Sequence, residues 1–155
     1  MDRVILMCGA AGSGKSTYAR RLADQGYTVL SFDDEAWRRG FRTHPVPAER
    51  CREVHDALQS RLLELVDADL PAVVDTSFWS RASRDEYREL LAPLGVVPAV
   101  HYMDTPREAI LERLAARRHA GPDDIPVSVD QAIAYMDGLQ VPTVEEGPLH
   151  VVRDA

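Results

Sequence analysis

The chain has 155 residues, is 45% hydrophobic and carries a formal net charge of −7. This length suits one domain with a sizeable core, and the acidic balance argues against a protein dedicated to long nucleic acid. Its 2 cysteines, Cys8 and Cys51, form no disulfide framework, and no apolar run reaches the roughly 18 residues of a membrane span. The first residues lead into a short apolar strand rather than a signal peptide, so we expect a cytoplasmic protein without a membrane partner.

Short apolar runs alternate along the chain with segments of helical periodicity. The apolar runs predict strands at Val4–Cys8, Tyr27–Phe32, Ala72–Asp75, Val96–Met103 and Leu149–Val152. Helical patterns lie between them, at 15–24, 48–67, 83–92, 106–119 and about 128–139. This alternation predicts an α/β domain in which helices cover a parallel sheet.

Capping residues mark the expected starts of the later helices. Ser83 and Glu86 have the spacing of a capping box ahead of an apolar helical face. Thr105 is expected to cap the next helix, with Pro106 at its first position, and Ser128 to cap the last one.

The segment Gly9–Ser16 fits the phosphate-binding pattern G-x-x-x-x-G-K-[ST] at every position. It follows the first predicted strand and opens the first predicted helix, which is the context that this loop requires. The alternative, a glycine-rich turn without a ligand, does not account for the agreement of strand, loop and helix. We therefore expect the following residues to bind nucleotide phosphates: Gly9, Ala10, Ala11, Gly12, Ser13, Gly14, Lys15, Ser16 and Thr17.

Lys15 is the only lysine of the chain, beside 17 arginines. A compact ammonium on a flexible stem can reach between β- and γ-phosphates, whereas a planar guanidinium is a poor substitute there. The hydroxyl of Ser16 is expected to bind Mg²⁺, which bridges two phosphates. The loop therefore predicts binding of a magnesium nucleotide.

Acidic residues stand where three of the predicted strands end. In an open parallel sheet, ligands bind beyond these carboxyl ends. Asp33 is the candidate base for an attacking hydroxyl, with Asp34 as its neighbour, a second candidate or a helix cap. The alternative is that both carboxylates only cap the helix that follows. Asp75 is the candidate metal-binding acid beside the loop, with a cap or turn as the alternative, and Asp104 is predicted to be a turn residue.

Arginines late in the helix that begins near Pro106 form a candidate lid. Arg113 and Arg117 are four residues apart and share one helix face, and Arg118 follows them. An irregular segment comes next, so we place a lid at about 113–126 whose arginines contact the transferred phosphate. The alternative is a solvated basic face at a helix end.

Basic and aromatic residues near the candidate base are candidates for acceptor binding. Arg38, with Arg39 and Arg42 nearby, could bind an acidic acceptor. Trp37 and Trp79, together with Phe41 and Phe78, could stack on an acceptor ring or belong to the core. The histidines and cysteines have no metal-ligand spacing, so we expect no structural zinc.

The chain resembles the small P-loop kinases of the predicted-kinase group. This group includes the kinase domain of polynucleotide 5′-kinases, zeta-toxin-like kinases and chloramphenicol phosphotransferase. The resemblance rests on GAAGSGKST at 9–17, LSFD at 30–33, VVDTS at 73–77 followed by Arg84, DTPRE at 104–108, ERLAARR at 112–118, and Val141-Pro142 with EEG at 145–147.

The resemblance implies a three-layer P-loop kinase fold, one domain over 1–155, with a five-stranded parallel sheet in the order 2-3-1-4-5. It implies transfer of the γ-phosphate of ATP, with Mg²⁺, to a hydroxyl. Lys15 and Ser16 would bind phosphate and metal, Asp33 would be the base, Asp75 would lie near metal or acceptor, and Arg117 would belong to the lid. Polynucleotide 5′-kinases usually have an arginine at the position of Ala36, where it holds the acceptor's phosphate. Its absence here argues against a 3′-phosphorylated nucleic acid as the acceptor.

Three functions remain open at this stage. The first is a kinase for a small hydroxylated molecule, such as a nucleoside, sugar or antibiotic. The second is a kinase for the 5′-hydroxyl of nucleic-acid ends, with a basic groove formed by Arg38, Arg39, Arg42, Arg81 and Arg84. The third is a nucleotide-gated switch protein that hydrolyses ATP slowly.

Overall fold

Five parallel strands form one sheet. The computed structural model describes residues 2–41, 46–116 and 128–153. The strands are β1 (Val4–Cys8), β2 (Thr28–Ser31), β3 (Ala72–Asp75), β4 (Ala99–Met103) and β5 (Leu149–Val152), in the spatial order β2-β3-β1-β4-β5. Every neighbouring pair is parallel, with Ile5 of β1 opposite Val73 of β3 and Ala99 of β4. The predicted parallel sheet and its strand order are confirmed.

In the part of the chain that the structure describes, six helices cover this sheet. They are α1 (Lys15–Asp24), α2 (Phe32–Arg38), α3 (Ala48–Asp67), α4 (Arg81–Leu91), α5 (Arg107–Ala115) and α6 (Val129–Gly138), and a short 3₁₀ turn, Ala92–Leu94, follows α4. Side chains along β1 alternate between two apolar clusters: Val4 and Leu6 pack with α3 and α4, whereas Ile5 and Met7 pack with α1. Both faces of the sheet are therefore buried, as expected for a three-layer α/β fold.

Two strands are shorter than predicted. Phe32 begins α2 instead of ending β2, because Ser31 caps that helix by accepting a hydrogen bond from the backbone N–H of Asp34 at 3.1 Å. Asp34 is therefore not the cap. β4 begins at Ala99 rather than Val96, since Pro98 directly precedes it and has no N–H for a ladder hydrogen bond.

Two of the three predicted caps are wrong. Helix α4 begins at Arg81 because Ser80, not Ser83, is its cap and accepts a hydrogen bond from the N–H of Ser83 at 3.1 Å. Helix α5 has Pro106 at its cap position and no side-chain cap; the Thr105 hydroxyl donates elsewhere. Ser128 caps α6 as predicted, accepting from the N–H of Gln131 at 3.1 Å.

Within the described residues, the helices lack the combination of length and apolar character that a membrane crossing requires.

Candidate functional site

A cavity of about 710 Å³ lies where β1, β2 and β3 end. This volume falls within the range of small-molecule sites. The carboxyl ends of parallel strands open on one edge of a sheet, so the loop after β1 meets the residues after β2 and β3 there. The predicted site residues that line the cavity are Gly9, Ala10, Ala11, Gly12, Gly14, Lys15, Ser16, Thr17, Asp33, Asp75, Trp79 and Arg113.

Two glycines let the loop after β1 pack closely against its surroundings. A Cβ at Gly9 would lie 2.8 Å from Oγ of Ser13 and 3.1 Å from Cβ of Met103. Gly12 has a φ of +83°, and its Cβ would lie 3.1 Å from the carbonyl oxygen of Ile110 and from Cγ of Leu114 in α5. Larger residues would push the loop away from β4 and α5, so these glycines fix where the loop lies.

Side chains hold the carbonyl groups of the loop. The Thr105 hydroxyl donates to the carbonyl oxygen of Ser13 at 2.7 Å, and Nη1 of Arg113 donates to that of Gly12 at 3.3 Å. Nζ of Lys15 donates to the carbonyl oxygen of Ala10 at 3.2 Å, which keeps the ammonium beside the loop. Ser13 does not line the cavity: its hydroxyl is fully buried and has no hydrogen-bond partner among the described residues.

Ser16 and Asp75 meet at the cavity wall. The Ser16 hydroxyl donates to Oδ2 of Asp75 at 3.1 Å, and the Asp75 residue is only 6% exposed. Asp75 ends β3 opposite Met7 of β1, which brings it next to the loop. A hydroxyl and a carboxylate oxygen suit Mg²⁺, so these two residues fit the metal that the fold implies.

Asp33 lies in the first turn of α2 and lines the same cavity as the loop. The helix N-terminus supplies a favourable field for a carboxylate at this position. The other predicted acceptor residues on α2 lie elsewhere: Trp37 and Arg38 do not line the cavity, and Arg38 is exposed, with Nη1 3.9 Å from Glu35. Of the acceptor candidates, Asp33 and Trp79 are therefore together at the cavity.

Of the candidate lid arginines, the structure describes only Arg113. It lines the cavity and contacts the loop. Arg117 and Arg118 lie outside the described residues, as does most of the predicted lid, and so does Arg42. Arg20 also lines the cavity, although it was not among the residues predicted for the site. It could have been predicted because it lies four residues after Ser16, on the same face of α1.

Arg84 is not part of a basic groove, because it is fully buried. Its Nε donates to Oε1 of Glu146 at 2.7 Å and its Nη2 to Oε2 at 3.1 Å. Its Nη1 donates to the carbonyl oxygen of Phe78 at 2.7 Å, at a residue with the left-handed φ of 46°. Arg84 thus holds the turn that leads from Asp75 to Trp79, and it does not contribute to the basic groove that the second hypothesis requires.

Apolar and aromatic side chains from several elements line the rest of the cavity. They are Phe32, Val46, Cys51, His55, Trp79, Ala134, Tyr135 and Leu139. Among these residues, only Trp79 was predicted from the sequence to have a role at the site. Burial lowers the pKa of His55 and the nearby Arg52 guanidinium lowers it further, whereas burial raises the pKa of the Cys51 thiol. Both side chains are therefore neutral near pH 7.

Comparison with known proteins links the chain to one family. The model of the AAA_33 family, described as an AAA domain, matches residues 4–142. A UPF0200 protein of Saccharolobus islandicus is 32% identical over 123 residues, which cover 72% of this chain and 65% of the relative. The chain therefore spans less than two thirds of the length of that relative.

Solved structures share the fold at low sequence identity. A chain of the Pnkp1/Rnl/Hen1 RNA repair complex matches with a TM-score of 0.75 and 19% identity, covering 90% of this chain and 44% of that one. The Mycobacterium tuberculosis APS kinase CysC, in complex with AMPPNP and APS, matches with a TM-score of 0.68 and 22% identity, covering 99% of this chain and 88% of that one.

Proposed function

We propose, on the premise that this chain belongs to the AAA_33 family of AAA domains and has the fold of a small P-loop kinase, that it transfers the γ-phosphate of ATP to a hydroxyl group of a small molecule. The observation that carries the proposal is a single cavity lined by the phosphate loop, by Asp75 and by Asp33. A protein that only binds nucleotide needs the loop, but it has no need of a carboxylate in position to deprotonate an acceptor.

The phosphate loop binds the donor. Its backbone, Lys15 and the N-terminus of α1 supply positive potential to the β- and γ-phosphates. The contact from Arg113 to the Gly12 carbonyl keeps a guanidinium beside the same phosphates, where it stabilises charge as the phosphoryl group moves. Arg117 has the same proposed role.

Ser16 and Asp75 would hold Mg²⁺, Ser16 through its hydroxyl and Asp75 directly or through water. When bound, the ion would neutralise negative charge on the nucleotide phosphates. The Ser16–Asp75 hydrogen bond keeps these two oxygens 3.1 Å apart.

Asp33 accepts the proton of the attacking hydroxyl. The hydroxyl oxygen bonds to the γ-phosphorus while the bond from that phosphorus to the bridging oxygen breaks. ADP leaves with the electron pair of the broken bond, and the acceptor becomes a phosphate monoester. Capping of α2 by Ser31 fixes Asp33 in the first helical turn, beside the cavity.

A second candidate function, a kinase for the 5′-hydroxyl of nucleic acid, is favoured by the likeness to a chain of an RNA repair complex. The charges argue against it. Arg84 is buried, and Nε of Arg39 is 3.2 Å from Glu35, which neutralises part of the proposed groove. Activity that falls steeply with salt would favour this second function.

Asp33→Asn tests the proposal because it removes the base but keeps the shape of the side chain. We expect phosphotransfer from labelled ATP to fall about 100-fold or more, with ATP binding retained. Full phosphotransfer by this variant would exclude Asp33 as the base. If the wild type hydrolyses ATP but phosphorylates no acceptor of any class, the nucleotide-gated switch would be favoured.

A further inference from the structure

The described cations of the cavity all belong to its phosphate end. Lys15 and Arg20 lie on α1, where Nη2 of Arg20 is 3.4 Å from the Thr17 hydroxyl, and Arg113 contacts the loop. The remaining lining residues carry no charge apart from Asp33 and Asp75. Among the described residues, the part of the cavity beyond Asp33 therefore has no cation for an anionic acceptor.

Residues of three helices and of two adjoining loop segments form the wall beyond Asp33. Cys51 and His55 are one helical turn apart on α3, and the His55 ring lies 5.2 Å from that of Phe32 in α2. Leu139, which follows α6, packs with Phe32 and Cys51 on the same core cluster. This wall, which we call the aromatic wall, is defined by Phe32, Cys51, His55, Trp79, Tyr135 and Leu139.

Trp79 is held in place although its side chain reaches solvent. Its carbonyl oxygen accepts a 2.7 Å hydrogen bond from the N–H of Gln140, and Oε1 of Gln140 accepts from the N–H of Arg81 at 2.9 Å. The residue is nevertheless 55% exposed, at the edge of the cavity. A fixed backbone with an open indole is the arrangement expected of a stacking surface.

His55 adds an imidazole ring whose orientation is fixed by a hydrogen bond. Its Nδ1 is 2.8 Å from the hydroxyl of Tyr87, whose residue is 1% exposed. Burial raises the pKa of Tyr87, so the phenol keeps its proton and can share this hydrogen bond with the neutral His55 ring. The hydrogen bond engages Nδ1 and leaves Nε2 as the ring nitrogen for a ligand.

We infer that the acceptor is a neutral alcohol carried on a flat, largely apolar ring system that stacks on Trp79 beside Tyr135. The inference rests on the proposed function and narrows its substrate class. Polyols and simple sugars would match the aromatic wall less well than a flat ring does, and phosphorylated acceptors would find no cation there among the described residues. Nucleosides and aromatic antibiotics share the required chemistry.

The experiment compares three groups of acceptors with labelled ATP and the wild-type protein. Ring-bearing alcohols are represented by the common nucleosides and chloramphenicol, polyols by glycerol, glucose and gluconate, and anionic acceptors by ribose 5-phosphate and a 3′-phosphorylated oligonucleotide. We expect kcat/KM for at least one ring-bearing alcohol to exceed that of every other acceptor at least tenfold. The two kinds of ring-bearing probe distinguish a nucleoside from an antibiotic acceptor.

Variants at Trp79 test whether stacking on this side chain causes the preference for ring-bearing alcohols. Trp79→Ala is expected to raise KM for the ring-bearing alcohol about tenfold or more, and Trp79→Phe to restore most of it, because stacking needs a ring. Leu70→Ala is the matched control, since Leu70 is half exposed like Trp79 but does not line the cavity. An equal rise in KM in the control, or an unchanged KM in Trp79→Ala, would overturn the inference.

The two proposals fail in different ways. Preferred phosphorylation of a polyol, sugar or anionic acceptor would overturn the aromatic acceptor and leave the kinase intact. Absence of phosphotransfer to all three groups, with ATP hydrolysis unchanged in Asp33→Asn, would overturn both.

Discussion

Arg84 and Glu146 form an ion pair inside the protein, with Nε of Arg84 2.7 Å from Oε1 of Glu146 and side chains that are 1% and 3% exposed. The pair joins α4 to the segment before β5, and Nη2 of Arg88 adds a third contact at 3.0 Å. Burial alone would raise the pKa of Glu146, but hydrogen bonds from Arg84 and Arg88 hold it below its usual value. The carboxylate therefore stays charged in the interior.

Removing Arg84 takes away two of the three hydrogen bonds that compensate the buried charge of Glu146 and leaves the one from Arg88. We expect Arg84→Met to lower the free energy of unfolding by about 3–5 kcal/mol, measured by urea denaturation. Arg81→Met is the control, because the Arg81–Asp85 pair on the same helix is largely exposed and should cost less than about 1 kcal/mol. Equal losses of unfolding free energy in the two variants would show that burial does not make the Arg84 pair more important for stability.

Gly12 combines a left-handed backbone with a close approach to α5. We expect Gly12→Ala to lower the free energy of unfolding by about 2 kcal/mol and to weaken ATP binding, because the loop must move. Gly26→Ala separates the two causes. Gly26 has a φ of +104° but no atom within 4 Å of its Cβ, so only the backbone strain of about 1 kcal/mol remains. Similar losses in both variants would argue against the contact with α5.

Lys15→Arg tests whether the loop needs an ammonium. The charge is kept, but a planar guanidinium is larger than the ammonium group whose Nζ donates to the Ala10 carbonyl oxygen. We expect kcat/KM for ATP to fall at least about tenfold, measured by ADP release. Unchanged ATP binding and turnover would contradict the role given to the only lysine.

His101 makes stability depend on pH. Burial and, to a smaller extent, the nearby His150 lower its pKa to about 4, against the opposing effect of Asp2. The unfolded chain, with a histidine pKa near 6.5, takes up the proton first as the pH falls. The contribution to stability is therefore complete above about pH 6.5 and is lost towards pH 4, by an amount on the order of 3 kcal/mol.

Urea denaturation at several pH values checks this expectation. Between pH 7 and pH 5, His101→Gln should lose less stability than the wild type. His150→Gln serves as the control because His150 is exposed, and it should retain most of the pH dependence. A His101→Gln variant with the pH dependence of the wild type would exclude His101 as its source.

Much of the fold could be predicted from local patterns in the sequence. The bounds of β1, β3 and β5 and of α1 and α3 agree with the sequence prediction, because each strand run ends at polar or turn residues and each helix has a clear period. Caps were harder to assign. Ser80 and Ser83 are three residues apart, and either could cap a helix; the sequence alone does not say which has extended backbone.

Some residues of the candidate site could likewise be predicted from the sequence, and others could not. The loop, Asp33 and Asp75 were found because each stands at the end of a predicted strand. The burial of Arg84 was missed because its partner, Glu146, lies 62 residues away, and the charge alone favoured a surface position. His55 and Tyr135 were missed because only tertiary packing brings α3 and α6 to one cavity.

The open indole of Trp79 also gives the protein an optical reporter of its own site. The chain has 2 tryptophans, and the other, Trp37, does not line the cavity. In a Trp37→Phe background, intrinsic fluorescence comes from Trp79 alone. Titrations of nucleotide or acceptor can then be followed without any attached label, in the same sample that is assayed for turnover.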